Sequence, residues 1–163
     1  RERLTFSRTI SSRQAGSLTW RMTVWTATPQ VSDIQREQAG VVMEALGKQL
    51  YVADEGFLDK ATAVSGSGPA YVFLFIEALI DAGVYLGMPR DMARMLTLQT
   101  VMGSTKLVQE SGRHPADLKD MVTSPGGTTI EAILALEKGG FRASVLQAVI
   151  AAYAKSKELG EQG

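Results

Sequence analysis

Apolar and polar positions follow two different rhythms, and the change falls near residue 53. Met22–Ala27 (MTVWTA) alternates β-branched and aromatic residues and predicts a short strand. Thr28-Pro29 breaks it. Ser32 is a good helix N-cap, with acid in the first turn at Asp33. Ile34, Ala39, Val42, Met43 and Leu46 then recur at helical spacing, and Gly47 closes the helix. Gln49 to Val52 predicts a second strand. Strand, helix and strand is what the tail end of an α/β domain looks like, and it is too small to stand alone.

No strand pattern follows Val52. Pro69 suits the first turn of a helix running to Leu86, ended by Gly87 and Pro89. That helix is apolar on nearly every face, which predicts burial on every face. A second long helix spans Arg90 to Glu110, with Met92, Met95, Leu96, Leu98, Val101, Met102 and Leu107 inward. Gly103, Ser104 and Thr105 would let another backbone approach closely, and Ser111-Gly112 stops the helix. His114-Pro115 starts a short helix through Val122. Another helix runs from Ile130 to Leu136. The last covers about Phe141 to Leu159, with Val145, Leu146, Val149, Ile150 and Tyr153 on its apolar side and Lys155 and Lys157 near its C-terminal dipole. The fold class expected is mainly α: a helical dimerisation bundle preceded by a small β-α-β remnant. So much apolar helix exceeds what a bundle of roughly 110 residues covers by itself, which predicts a partner subunit. A tightly wrapped monomer is the simpler alternative.

Composition narrows the chemistry. The 163 residues are one ordinary domain, or one domain plus a fragment of another. Seventeen basic and seventeen acidic side chains cancel, so nothing in the charge points to a nucleic-acid partner. The absence of cysteine excludes disulfides, thiolate metal sites and cysteine nucleophiles, and the single His114 excludes a histidine pair, so no metal is expected. The longest uncharged run, residues 61–76, stops at Glu77 and falls short of the roughly 20 residues a membrane span needs, so no membrane partner is expected. Residues 1–21 hold five arginines, seven serines and threonines and one acid. That start is expected to be a disordered or non-native segment, with a transit peptide as the alternative. With no initiator methionine, a processed or truncated product is expected. Three segments follow: 1–21 unmatched, 22–53 an α/β remnant, and 54–163 an all-helical domain. Location is expected to be cytoplasmic, with plastid or mitochondrion as the alternative.

Two glycine-containing segments look chemical. Ser65-Gly66-Ser67-Gly68-Pro69 reads as a flexible turn before the apolar helix, where glycines permit positive φ and close approach. A tight interhelical turn is the plainer reading. Thr123-Ser124-Pro125-Gly126-Gly127-Thr128-Thr129 opens a helix whose N–H groups at Gly127, Thr128 and Thr129 would be unpaired. Those amides, the dipole and three hydroxyls could seat a carboxylate or phosphate; a well-capped helix start explains the pattern equally well. No lysine follows the glycines, so it is not a P-loop. Asp54, Glu55 and Asp59 read as a solvated acidic turn rather than a calcium loop, and Lys119–Asp120 as an exposed pair. The methionines lie at helical spacing and read as core filler.

Together these stretches are not generic. ATAVSGSGPAYVF (61–73), EALIDAGVYLGMPR (77–90), QTVMGSTK (99–106), ESGRHPADLKDMVTSPGGTTI (110–130) and LEKGGFRASVLQAV (136–149) closely resemble the pyrroline-5-carboxylate reductase family. The resemblance implies an NADPH- or NADH-dependent reductase making proline, with an N-terminal Rossmann domain and a helical domain that interlocks in a homodimer and assembles further into decamers. It implies a substrate carboxylate on Ser124, Gly126, Gly127 and Thr128, with Thr129 hydrogen-bonded to the ring nitrogen as the catalytic group. Gly66, Ser67, Gly68 and Pro69 would border the nicotinamide. No G-x-G-x-x-G follows a strand, so the chain is expected to be inactive alone. The alternatives are a non-catalytic dimerisation module that could cap full-length subunits, and a binder of proline-like carboxylates.

Overall fold

The computed structural model describes residues 22–45 and 47–162, together with the backbone of residues 4–7. Its elements are β1 (Leu4–Ser7), β2 (Met22–Ala27), α1 (Asp33–Glu44), β3 (Lys48–Tyr51), α2 (Gly56–Ala61), a π-helical turn (Thr62–Gly66), α3 (Gly68–Tyr85), α4 (Arg90–Ser111), α5 (Pro115–Met121), α6 (Thr128–Lys138) and α7 (Phe141–Glu161). The mainly helical class with a leading β-α-β is as the sequence predicts.

The strands form one sheet in the order β1-β2-β3. β2 and β3 are parallel, with Thr23 opposite Gln49 and Trp25 opposite Tyr51. β1 is antiparallel to β2. This corrects the expectation of a disordered start for four of its residues: Leu4–Ser7 pairs along the free side of β2, whose unpaired peptide groups demand a partner. The rest of that segment lies outside the described residues, as does Leu46.

The chain divides into two compact units: residues 1–70 with 146–163, and residues 71–145. The first has a conventional core. Val24, Trp25 and Thr26 of β2 are buried, with Val31, Leu58 and Ala63. Trp25 is 2% exposed, donates from Nε1 to Gln49 Oε1 at 2.8 Å and meets Tyr51 edge-on at 5.0 Å. α1 is set by a capping box: Ser32 Oγ accepts the Gln35 N–H, and the Gln35 side chain accepts the Ser32 N–H. α2 packs on β1 and β2, and Ser156 of α7 donates to Asp59 Oδ1 at 2.6 Å. These contacts carry α2 into the strand-containing unit, a division unlike the one at residue 53 that the hydrophobic rhythm suggests.

The second unit is almost without a core. Among its described residues only Ala93, Thr97 and Leu118 are buried. The apolar set predicted to face inward on α4 is open instead: Met92, Met95, Leu96, Leu98, Met102 and Leu107 are all exposed. α3 is not buried on every face either, with Phe73 65% and Leu74 69% exposed. Val145 is exposed as well. The same holds for Leu146 and Ile150 on the α7 stretch that belongs to the first unit. Helix positions were legible, but this chain folded by itself does not supply what they pack against. α3 and α4 approach closely at one point, where a Cβ on Gly83 would stand 2.8 Å from that of Ala93. Alongside it Ile76, Met95, Leu98 and Met102 line an open groove of about 1030 Å³. By length and composition the helical run Gly56–Tyr85 is long and apolar enough to cross a membrane. An uncharged-run count ending at Glu77 does not anticipate this.

Candidate functional site: an uncapped helix start

The segment between α5 and α6 is built by local rules. Thr123 finishes α5, its N–H donating to the Asp120 carbonyl at 3.1 Å and its Oγ1 to the Lys119 carbonyl at 2.7 Å. A tight turn follows, in which the Gly127 N–H donates back to the Ser124 carbonyl at 3.1 Å. Pro125 and Gly126 are its central residues, and Gly126 has φ +67°, the type II pattern. Gly127 is required for a different reason. A Cβ there would stand 2.2 Å from Ser124 Oγ and 3.2 Å from the Ser124 carbonyl.

The turn delivers α6 at Thr128, two residues earlier than the sequence predicts. Gly127 is the N-cap and has no side chain to bond the first amides. The N–H groups of Thr128 and Thr129 therefore open the helix without a side-chain acceptor, at the positive end of its dipole. The expected Gly127 amide is not part of this donor set, because it is bonded within the turn. Ser124 and Thr128 are exposed and Thr129 is half-buried. A planar carboxylate can take one N–H on each oxygen. Glu131 in the first turn is the one acid the helix start already carries.

The other candidates resolve individually. His114 is the N-cap of α5: its Nδ1 accepts the Ala116 N–H at 3.2 Å. Lys119 and Asp120 form an ion pair. Asp54 Oδ1 accepts the Gly56 N–H at 2.8 Å, and Asp59 takes the Ser156 hydroxyl. The described residues hold no cluster of three or more His, Asp or Glu side chains that could hold a metal ion. The Asp59–Ser156 bond had no sequence signal, because its partners are 97 residues apart.

The Ser65–Pro69 segment is not a flexible turn. It continues the helix through a π-helical turn in which the Ser67 N–H donates to the Thr62 carbonyl at 2.8 Å, five residues back. Neither Gly66 nor Gly68 has positive φ. Gly68 is buried, and a Cβ would meet nothing within 4 Å there. The one-residue insertion is what the small side chains accommodate.

A dinucleotide seat does not fit the described strand-to-helix connections. Between β2 and α1 the chain reads Thr28-Pro29-Gln30-Val31-Ser32, without glycine, and Ser32 caps the helix itself. Between β3 and α2 the Asp54 carboxylate occupies the Gly56 amide, and an anion there repels phosphate.

A strand–helix–strand followed by helices with open apolar faces defines a class: a helical association domain behind the end of an α/β domain. The chain belongs to the pyrroline-5-carboxylate reductase family, since the family model "Pyrroline-5-carboxylate reductase dimerisation" matches residues 55–159. It is 50% identical over 141 residues to the pyrroline-5-carboxylate reductase of Synechocystis, covering 86% of this chain and 52% of that protein. A crystal structure of the Plasmodium falciparum pyrroline carboxylate reductase with NADP bound superposes with a TM-score of 0.80 at 40% identity, covering 85% of this chain and 53% of the other. For a Coxiella burnetii pyrroline-5-carboxylate reductase the TM-score is 0.83 at 37% identity, covering 97% and 56%. That coverage is too high to leave out the whole of residues 1–21, where β1 lies. The chain thus spans about half the length of the relatives it matches.

Proposed function

We propose that this chain is the substrate-carboxylate and dimerisation part of a reductase that converts 1-pyrroline-5-carboxylate to L-proline with NADPH or NADH. The uncapped start of α6 carries the reading. Its Thr128 and Thr129 amides receive the carboxylate, with Ser124, Gly126 and Gly127 shaping the turn beside it. Thr129 sets its hydroxyl against the ring nitrogen. A threonine hydroxyl is a poor acid, so its contribution is a hydrogen bond to that nitrogen. Gly66, Ser67, Gly68 and Pro69 border the nicotinamide. The NADP in the Plasmodium relative supports that cofactor. The described residues build no seat for the dinucleotide, so its phosphates and adenosine must be held by a nucleotide domain outside them.

The open apolar faces of α3 and α4 support a homodimer as the basic assembly, with decamers as the larger one. A protein surface suits α3 better than lipid, because Glu77 and Asp81 interrupt it and Asp81 is paired with Arg90. The domain division that fits this role is 22–53 as the nucleotide-domain remnant and 54–163 as the helical part. The location is cytoplasmic, with a plastid or mitochondrion as the alternative raised by the first 21 residues. That the described strand-to-helix connections build no dinucleotide seat favours a second reading: a non-catalytic dimerisation module, or a binder of proline-like carboxylates.

Calorimetric titration of the chain with L-proline and with tetrahydrofuran-2-carboxylate tests the site. Proline at the first position of a helix is tolerated but has no N–H. Thr128→Pro should abolish binding while light scattering shows the assembly unchanged. Binding that survives Thr128→Pro overturns the carboxylate seat, and dimerisation with no binding by the parent chain supports the non-catalytic module.

A further inference from the structure

The π-helical turn between α2 and α3 needs a reason to stay where it is. One extra residue in a helix rotates everything beyond it by about 100° relative to continuous α-helix. The competing register is plain α-helix, in which the Ser67 N–H would bond the Ala63 carbonyl rather than that of Thr62. Which register wins decides the direction in which Gly66–Pro69 is presented.

Two sets of contacts hold α2. It packs on β1 and β2, and its Leu58 is buried. Asp59 Oδ1 accepts the Ser156 hydroxyl of α7 at 2.6 Å. Both residues are half-buried, and Asp59 lies three residues before the turn. Thr62 is the hinge point. Its Oγ1 donates to the Leu58 carbonyl at 2.9 Å while its own carbonyl takes the Ser67 N–H at 2.8 Å. Ala63, the next residue, is 1% exposed, so the turn is anchored rather than free.

We propose that Asp59 and Ser156 are a positioning pair: α7, by holding α2 at Asp59, fixes the extra residue at Thr62–Gly66 and with it the placement of Gly66–Pro69. This rests on the reading that Gly66–Pro69 lies beside the reacting groups. The pair acts through the backbone and touches neither substrate nor cofactor.

Residue-resolved amide exchange on the 163-residue chain tests it without any ligand. Ser156→Ala should speed exchange of the Ser67 amide by about tenfold, the scale of one lost hydrogen bond. The Val52 amide, bonded to the Trp25 carbonyl at 2.9 Å in the same unit, should be unchanged. Ser156→Thr keeps the hydroxyl and should restore the Ser67 rate, and Asp59→Ala should reproduce the loss. An unchanged Ser67 rate overturns the proposal. So does equal acceleration at Ser67 and Val52, which marks general destabilisation, and so does failure of Ser156→Thr to rescue. A chain that shows the expected exchange pattern yet binds no L-proline overturns the proposed function and leaves the positioning pair intact.

Discussion

At the scale of single residues, the two glycines of the Ser124–Gly127 turn are not interchangeable. Gly126 needs its positive φ, and an alanine there costs about 1–2 kcal/mol. Gly126→Ala should lower the thermal midpoint and weaken L-proline binding together, because the turn aims the α6 amides. Gly127 has ordinary φ but no room. Gly127→Ala should therefore destabilise less in a Ser124→Ala background than in the parent, a coupling that a four-member unfolding cycle measures. Additive effects would show that the Ser124 hydroxyl is not the obstacle. The pair Gly126-Gly127 is legible in the sequence as part of a helix start that could seat an anion. Which glycine does what is not, because φ and the Ser124 contact exist only once the turn has closed.

At the scale of elements, local signals located most helix ends. Ser32 is readable as a cap because the N–H its Oγ accepts, that of Gln35, is three residues away. Ser32→Ala should cost about 1 kcal/mol, seen as earlier loss of α1 in a thermal melt followed by circular dichroism. The sequence places the start of α6 two residues late, since glycine caps by leaving amides open and has no side-chain signature. The Ser65–Pro69 segment reads in the sequence as a flexible turn, whereas the structure carries the helix through it. Gly and Ser mark turns by composition, and a π-helical turn uses the same small residues to absorb one extra residue inside a helix.

At the scale of the whole molecule, the exposed face of α3 makes a prediction about assembly. Phe73→Glu replaces a side chain already 65% exposed, so the single chain should keep its helix content. Gel filtration with light scattering should show a dimer becoming a monomer. An unchanged dimer would place the interface elsewhere, and binding of the parent chain to neutral liposomes would instead make lipid the occupant of the Gly56–Tyr85 face. The parent chain with NADPH and pyrroline-5-carboxylate should show no turnover, because the strand-to-helix connections it offers are capped by Ser32 and Asp54. Robust NADPH oxidation would mean that a cofactor seat lies outside those connections.

Taken alone, the sequence determined the helical class, the β-α-β start, the family and the location of the carboxylate-seat candidate. The class, the β-α-β start and the seat candidate rest on periodicity and short motifs set by local backbone geometry, and the family rests on the resemblance of several long stretches between residues 61 and 149. Only the tertiary structure decided that Leu4–Ser7 pairs with β2, that the chain's helices between residues 71 and 145 bury almost nothing by themselves, and that Ser156 reaches Asp59 across 97 residues. Contacts of that span depend on how whole elements pack, and no local pattern along the chain encodes them.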